Sequence, residues 1–310
     1  MKSINQIINS AKKNPHKKAI IILGSGFHAQ AFKTETNAIC SWTQMLESLD
    51  PKVELNDNYI LDFENIVRRK SVRQKEKSAS QIEKELINKV ADIIEGIEIS
   101  KINHNYPLGI FNPEFVSDVI SLNFDTIPER LLSGKANLKP HYYEWKTKEK
   151  LSEEERNALL YHEAAGLRFW HPHGSVEKPS SIQLGLRKYG LRVQVVEKLR
   201  KHYKSKSRDG KNEHITNPNW YDLLTTRPII ICGASLSHAE WDIWTALVNR
   251  SRNYARYPKH QQPIYIMTDN PGMYEARNPD NVNYFIPITS KKESFSAQWS
   301  KLEELFSKKS

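Results

Sequence analysis

Short unbroken apolar runs alternate along this chain with longer stretches of helical spacing. Ala19-Ile20-Ile21-Ile22-Leu23 is apolar at every position and ends at Gly24-Ser25-Gly26. A run apolar on both faces predicts a strand covered by helices on both sides, as in a parallel sheet. Val116 to Leu122, Pro228 to Cys232 and Pro263 to Met267 read the same way, and Phe285 to Ile288 predicts a fifth strand. Between them, Ile4, Ile8 and Ala11 predict a short amphipathic helix over 4–13, and Trp42, Met45, Leu46 and Leu49 another over 40–50. From Phe63 to Ile97 the sequence is highly charged, with Ile82, Leu86, Val90, Ile93 and Ile94 at steps of three and four. That spacing predicts one or two exposed helices inserted into the sheet domain. Trp241, Trp244, Leu247 and Val248 predict a packing helix, and residues 293–308 a closing one.

Strands alternating with helices predict a doubly wound, Rossmann-like α/β fold with a mostly parallel sheet. The expected organisation is a single domain over 1–310, with the charged helical insertion at about 63–100 and a flexible loop at about 201–219. The loop is expected because Lys, Ser, Asn and Gly crowd that stretch. In such sheets ligands bind where loops leave the carboxyl ends of the strands. Small and polar residues follow each of the first four predicted strands: Gly24-Ser25-Gly26, Asn123-Phe124-Asp125-Thr126, Gly233-Ala234-Ser235 and Thr268-Asp269-Asn270.

A formal charge of +10 favours acidic partners, phosphates and nucleic acid among them, although nucleic-acid binding is not the favoured reading. The cluster from Arg68-Arg69-Lys70 to Lys77 reads as a solvated helix face rather than a phosphate contact. Cys40 and Cys232 are the only cysteines, too few for a disulfide framework or a four-cysteine zinc module. No signal-peptide core and no membrane-length apolar run is present, so a soluble, cytoplasmic protein without membrane association is expected.

Each candidate site residue has two readings. Gly24, Ser25 and Gly26 suit either a tight turn or a phosphate cradle at a helix N-terminus; the third glycine of the dinucleotide fingerprint is replaced by Phe27-His28-Ala29-Gln30. Asn123 and Asp125 flank Phe124 and either cap the next helix or position a ribose hydroxyl or water. His171 and His173, two apart, would share one face of a strand. No cysteine or acidic cluster nearby makes them a metal site, so no metal is expected. His173 is a candidate general base, and Gly174 would leave room for substrate against the backbone. Asp242 reads as a solvent-facing or structural carboxylate.

In this order the motifs resemble the sirtuin-like (Sir2-type) NAD-consuming family, especially the divergent bacterial members of anti-phage defence systems. The carrying residues are Leu23-Gly24-Ser25-Gly26-Phe27 with Trp42, Ser121 to Thr126, His171 to Ser175 with Ser181 to Gly185 and Tyr189, and Ile231 to Leu236. The resemblance implies NAD as substrate and Asn123, His173 and Asp125 as catalytic residues. It implies cofactor contacts from Gly24, Ser25, Gly26, Phe27, Phe124, Gly174, Gly233, Ala234 and Ser235. The activity implied is NAD hydrolysis to nicotinamide and ADP-ribose, in a regulated defence effector that depletes cellular NAD. Control is expected from homo-oligomerisation or a co-encoded regulatory or sensor protein. NAD-dependent protein deacylation and non-catalytic binding of NAD or ADP-ribose are the alternatives. Two departures stand out: the missing zinc module, which disfavours deacylation, and His28-Ala29-Gln30 after the first glycine pair.

Overall fold

The computed structural model describes residues 2–31, 41–56, 58–99, 106–145, 151–206, 215–236, 240–258, 261–267, 285–288 and 294–307. Eight strands form one sheet: β1 (Ala19–Leu23), β2 (Val116–Ser121), β3 (His141–Tyr142), β4 (Leu160–Ala164), β5 (Leu167–Trp170), β6 (Ile229–Cys232), β7 (Ile264–Ile266) and β8 (Phe285–Pro287). Their order is β3-β4-β5-β2-β1-β6-β7-β8. From β5 to β8 every pair is parallel; β3 and β4 extend the β5 edge antiparallel. The doubly wound α/β expectation therefore holds, with three strands beyond the five expected, β3, β4 and the parallel β5. β3 and β4 were absent from the sequence reading, because a two-residue strand and a half-exposed Leu-Tyr-His-Glu-Ala segment carry no continuous apolar run.

The apolar runs are explained by two covered faces. Ala19, Ile21 and Leu23 of β1 point into one core with Ile7, Ile8 and Ala11 of α1 (Lys2–Lys13), and with Trp299, Leu302 and Phe306 of the closing helix (Phe295–Ser307). Ile20 and Ile22 point the other way, against Val195, Val196 and Leu199 of a long helix, Leu186–Lys206, and Ile243, Ala246 and Leu247 of another, Trp241–Arg256. This is the period-two alternation of a strand buried on both sides. The long helix runs through 201–206, so that part of the expected loop is helical. Residues 207–214 lie outside the described set, and Asn219 caps the helix Trp220–Thr226.

A third core lies above the carboxyl edge of the sheet. Trp42–Leu49, Tyr59–Arg73 and Ala79–Glu95 pack Met45, Leu46, Phe63, Ile66, Leu86 and Val90 against Phe124, Val176, Ile182 and Leu184. The inserted helices are thus two in number. The first begins at Tyr59, four residues before the expected start, with Asn58 accepting from the Leu61 N–H; the second begins behind a Ser78/Gln81 capping box. This layer roofs the loops that leave β1, β2 and β5. No described helix is long and apolar enough to cross a membrane.

Candidate functional site

β1 lies between β2 and β6, with Leu23 level with both Ser121 and Cys232. The chain leaves β1 towards β2 and returns on the other side as β6, so the loops after β1 and β6 part at the carboxyl edge and open a crevice. A cavity of about 580 Å³ fills it. Gly24 and Ser25 line it after β1, Asn123 after β2, His173 after β5, and Gly233, Ala234 and Ser235 after β6. The helical layer closes the opposite wall with Trp42 and Tyr59, and Gly185, Tyr189 and Glu240 complete it. An adjoining cavity of about 520 Å³ shares Ser25, Trp42, Leu122 and Asn123, and adds His28, Phe124, Asp125 and Ile127. Asn123 faces both.

Local chemistry fixes Asn123. Its N–H donates to Ser121 Oγ at 3.3 Å, the preceding Leu122 N–H donates to Leu23 O at 2.8 Å, and the following Phe124 carbonyl accepts from Val176 N at 2.9 Å. Asp125 fulfils both roles open to it. Oδ1 accepts the Ile127 N–H at 3.1 Å, at the start of the helix Ile127–Ser133, while Oδ2 accepts from His28 Nε2 at 2.8 Å. The Asn123 amide lies 3.1 Å from the same His28 nitrogen, and the Tyr106 hydroxyl is 2.9 Å from His28 Nδ1. The Nε2–H given to Asp125 leaves no lone pair for the Asn123 NH2, so His28 is bonded to Asp125, sits against the Asn123 amide, and is itself held by Tyr106. Burial pushes the Asp125 carboxyl up, but the adjacent His28 and the Ile127 N–H outweigh it, leaving the group below the usual aspartate range.

His173 is paired separately. Its Nε2 lies 3.0 and 3.2 Å from the two Asp242 oxygens, and Asp242 Oδ1 also accepts the Ile243 N–H at 2.9 Å. Asp242 is wholly buried at the start of Trp241–Arg256, so of the two readings open to it, solvent-facing or structural, the solvent-facing one is ruled out. Burial alone would depress His173; the Asp242 charge and hydrogen bond, reinforced by Glu240, reverse this and raise it above its ordinary value. Asp242 is correspondingly lowered. His171 and His173 do not share a face. β5 ends at Trp170, and His171 turns to Glu129 at 2.7 Å and to the Asn123 carbonyl at 3.3 Å, bracing the Asn123 loop from behind.

Four candidate contact residues sit away from the cavity that Asn123 and His173 share. Phe27 points into the core against Tyr106, Phe111 and Trp299. Phe124 packs on Trp42 and lines only the adjoining cavity. Gly174, at φ +93°, has the Ser181–Ile182 backbone where a Cβ would stand, so its glycine serves chain packing rather than substrate room. Gly26 gives its N–H to Gly233 O at 2.8 Å, and a Cβ there would meet the same oxygen at 2.8 Å. The glycines after β1 thus let that loop close on the β6 loop. The N–H groups of Gly24, Phe27 and His28 are likewise donated within the chain, to Cys232 O, Gly24 O and Ser25 O.

Sequence reasoning missed Asp242, His28 and Tyr106. Asp242 lies 69 residues from His173 and Tyr106 lies 78 from His28, and no local pattern announces either contact. Among the described residues no group of three or more His, Cys, Asp or Glu could hold a metal ion; Cys232 is a buried free thiol of β6, and Cys40 and Thr268-Asp269-Asn270 lie outside the described residues.

A family model, the SIR2-like domain, matches residues 117–286, more than half of the chain. The matched span holds Asn123, Asp125, His173, Gly233 to Ser235 and Asp242; the β1 turn with His28 and the helical layer precede it. No curated protein matches the chain.

Proposed function

Because the chain belongs to the SIR2-like domain family, we propose that it binds NAD in the paired cavities and hydrolyses it to nicotinamide and ADP-ribose. The observation that supports this best is the meeting of Asn123, His173 and the Gly233 to Ser235 turn on one cavity. The ribose lies against Asn123 and His173 in this reading. The flat nicotinamide enters the adjoining cavity, whose walls are Trp42, Leu122, Phe124 and Ile127. The C1′–N bond breaks with its electron pair going to nicotinamide, which departs neutral. Positive charge then sits on C1′ and the ring oxygen, where the buried Asp125 carboxylate is a favourable neighbour. Water held by the Asn123 amide adds to C1′, and its proton passes to His173 and on to solvent. Asp242 stabilises the imidazolium so formed and fixes the ring orientation.

The resemblance to the defence branch supports a further proposal, that the enzyme is a cytoplasmic effector depleting NAD during phage infection. Its restraint would come from self-assembly or a co-encoded partner. The test is nicotinamide release from NAD by the purified chain, alone and with its operon neighbours. Release is expected in at least one condition and absent from Asn123→Ala and His173→Ala; persistence in both variants overturns the assignment. Adding an acyl-lysine peptide separates the alternative, since deacylation yields O-acyl-ADP-ribose where hydrolysis yields free ADP-ribose.

A further inference from the structure

Arg192 stands out against the electrostatics of this site. It lies in Leu186–Lys206, one helical turn beyond the cavity-lining Tyr189, and is 2% exposed. None of its three guanidinium nitrogens has a hydrogen-bond partner among the described residues. A buried guanidinium normally answers to a carboxylate or several carbonyls, because leaving it unpaired is costly. The nearby Asp242 does not serve, since its oxygens go to His173 and the Ile243 N–H. Burial lowers Arg192 only to about 10, so it stays cationic at neutral pH.

The cavity beside it has the opposite deficiency. Among the described residues that line it none is a lysine or arginine, while Glu240 is a carboxylate. The N–H groups of Gly24, Gly26, Phe27 and His28, which a glycine turn might have offered to phosphate, are spent inside the chain. A cationic side chain is therefore missing from the described lining of the cavity, while one stands unpaired a helical turn beyond Tyr189. We propose that Arg192 is the cation that receives the diphosphate of the ligand, with Tyr189 as the side chain that yields to let the two meet. The inference rests on the dinucleotide reading of the cavity.

A residue held for a ligand has a different signature from one held for the fold. Arg192→Met removes an uncompensated buried charge, so the free variant should melt at or above the wild type. Its affinity for ADP-ribose, by calorimetry, should fall at least about tenfold, since a charge-assisted hydrogen bond of the order lost is worth about 1.5–3 kcal/mol. Affinity for adenosine, which lacks the diphosphate, should not change. Arg192→Lys should recover most of the ADP-ribose affinity. Unchanged ADP-ribose binding in Arg192→Met overturns the inference and leaves the dinucleotide reading standing, as does a lysine variant no better than methionine. A methionine variant melting well below the wild type marks Arg192 as structural and overturns it too. Failure of the wild type to bind ADP-ribose overturns both.

Discussion

Of the three buried imidazole–carboxylate pairs among the described residues, His171–Glu129 lies behind the Asn123 loop, while His28–Asp125 and His173–Asp242 face the cavities and are built differently. His28–Asp125 is clamped: both ring nitrogens are engaged, by Asp125 on one side and Tyr106 on the other, and Asp125 also caps a helix. In His173–Asp242 the hydrogen bonds of the ring run through Nε2 alone, and the other nitrogen is uncommitted among the described residues while the ring lines the crevice cavity. A ring with every donor and acceptor satisfied is a frame. A ring with one open nitrogen and a carboxylate behind it is equipped to move a proton. Under the proposed hydrolysis, chemistry therefore falls to His173 and positioning to His28.

The largest expected effect separates the two in rate. His173→Gln keeps an amide donor for Asp242 and should lower nicotinamide release by about 10²–10⁴-fold, the usual worth of a positioned acid–base group. His28→Gln should lose less rate but more order at Asn123, read as a rise in KM alongside a smaller fall in kcat. Removing a pair outright moves the contrast to stability. His28→Leu leaves the Asp125 charge buried without its partner, and breaking such a pair costs about 3–5 kcal/mol in urea unfolding. Phe63→Ala in the helical roof should cost a similar amount, about 3–5 kcal/mol, and loosen both cavities together; an unchanged site would uncouple the roof from the chemistry.

The pH dependence sharpens the comparison further. Asp242 raises His173, so Asp242→Asn should lower it and move the acid limb of the rate profile to lower pH, while reducing the rate. For stability the signs run oppositely within the pair. The raised His173 stabilises fully below its unfolded value of about 6.5, and that part is lost as pH rises through the folded value. The lowered Asp125 and Asp242 stabilise above about 3.9, and their part is lost as pH falls through their folded values. Thermal melting across pH 2–9 should therefore fall at both ends, and Asp125→Asn should flatten the acid side. The smallest effect belongs to Tyr106→Phe. It removes one hydrogen bond behind His28 and should cost about 1 kcal/mol with little change in rate.

The sheet was legible where burial on both faces wrote itself as unbroken apolar runs, in β1, β6 and β7, and in β2 despite its Ser117 and Asp118. Loops at carboxyl edges gather small and polar residues, and Asn123, His173 and Gly233 to Ser235, singled out by the family resemblance, do line one cavity there. Sequence reading did not reach what three-dimensional contact alone decides. Asp242 looks like any acidic residue near a helix start, yet the fold buries it under His173. His28, a departure from the family pattern, became the group that bonds Asp125 beside the Asn123 amide. Gly26 and Gly174 serve the chain's own close approaches, which the pattern of glycines cannot distinguish from room for a ligand. The lysine-rich stretch at 201–206 read as loop because its exposed positions are polar, though Tyr203 is buried and anchors the helix.

The most direct measurement is nicotinamide release from NAD by the wild type, His173→Gln and His28→Gln, compared at equal folded fraction with the operon neighbours present. The account predicts release by the wild type, a loss of at least about 10²-fold in His173→Gln and a distinctly smaller one in His28→Gln. Equal rates for His173→Gln and the wild type, or no release by the wild type, would contradict it.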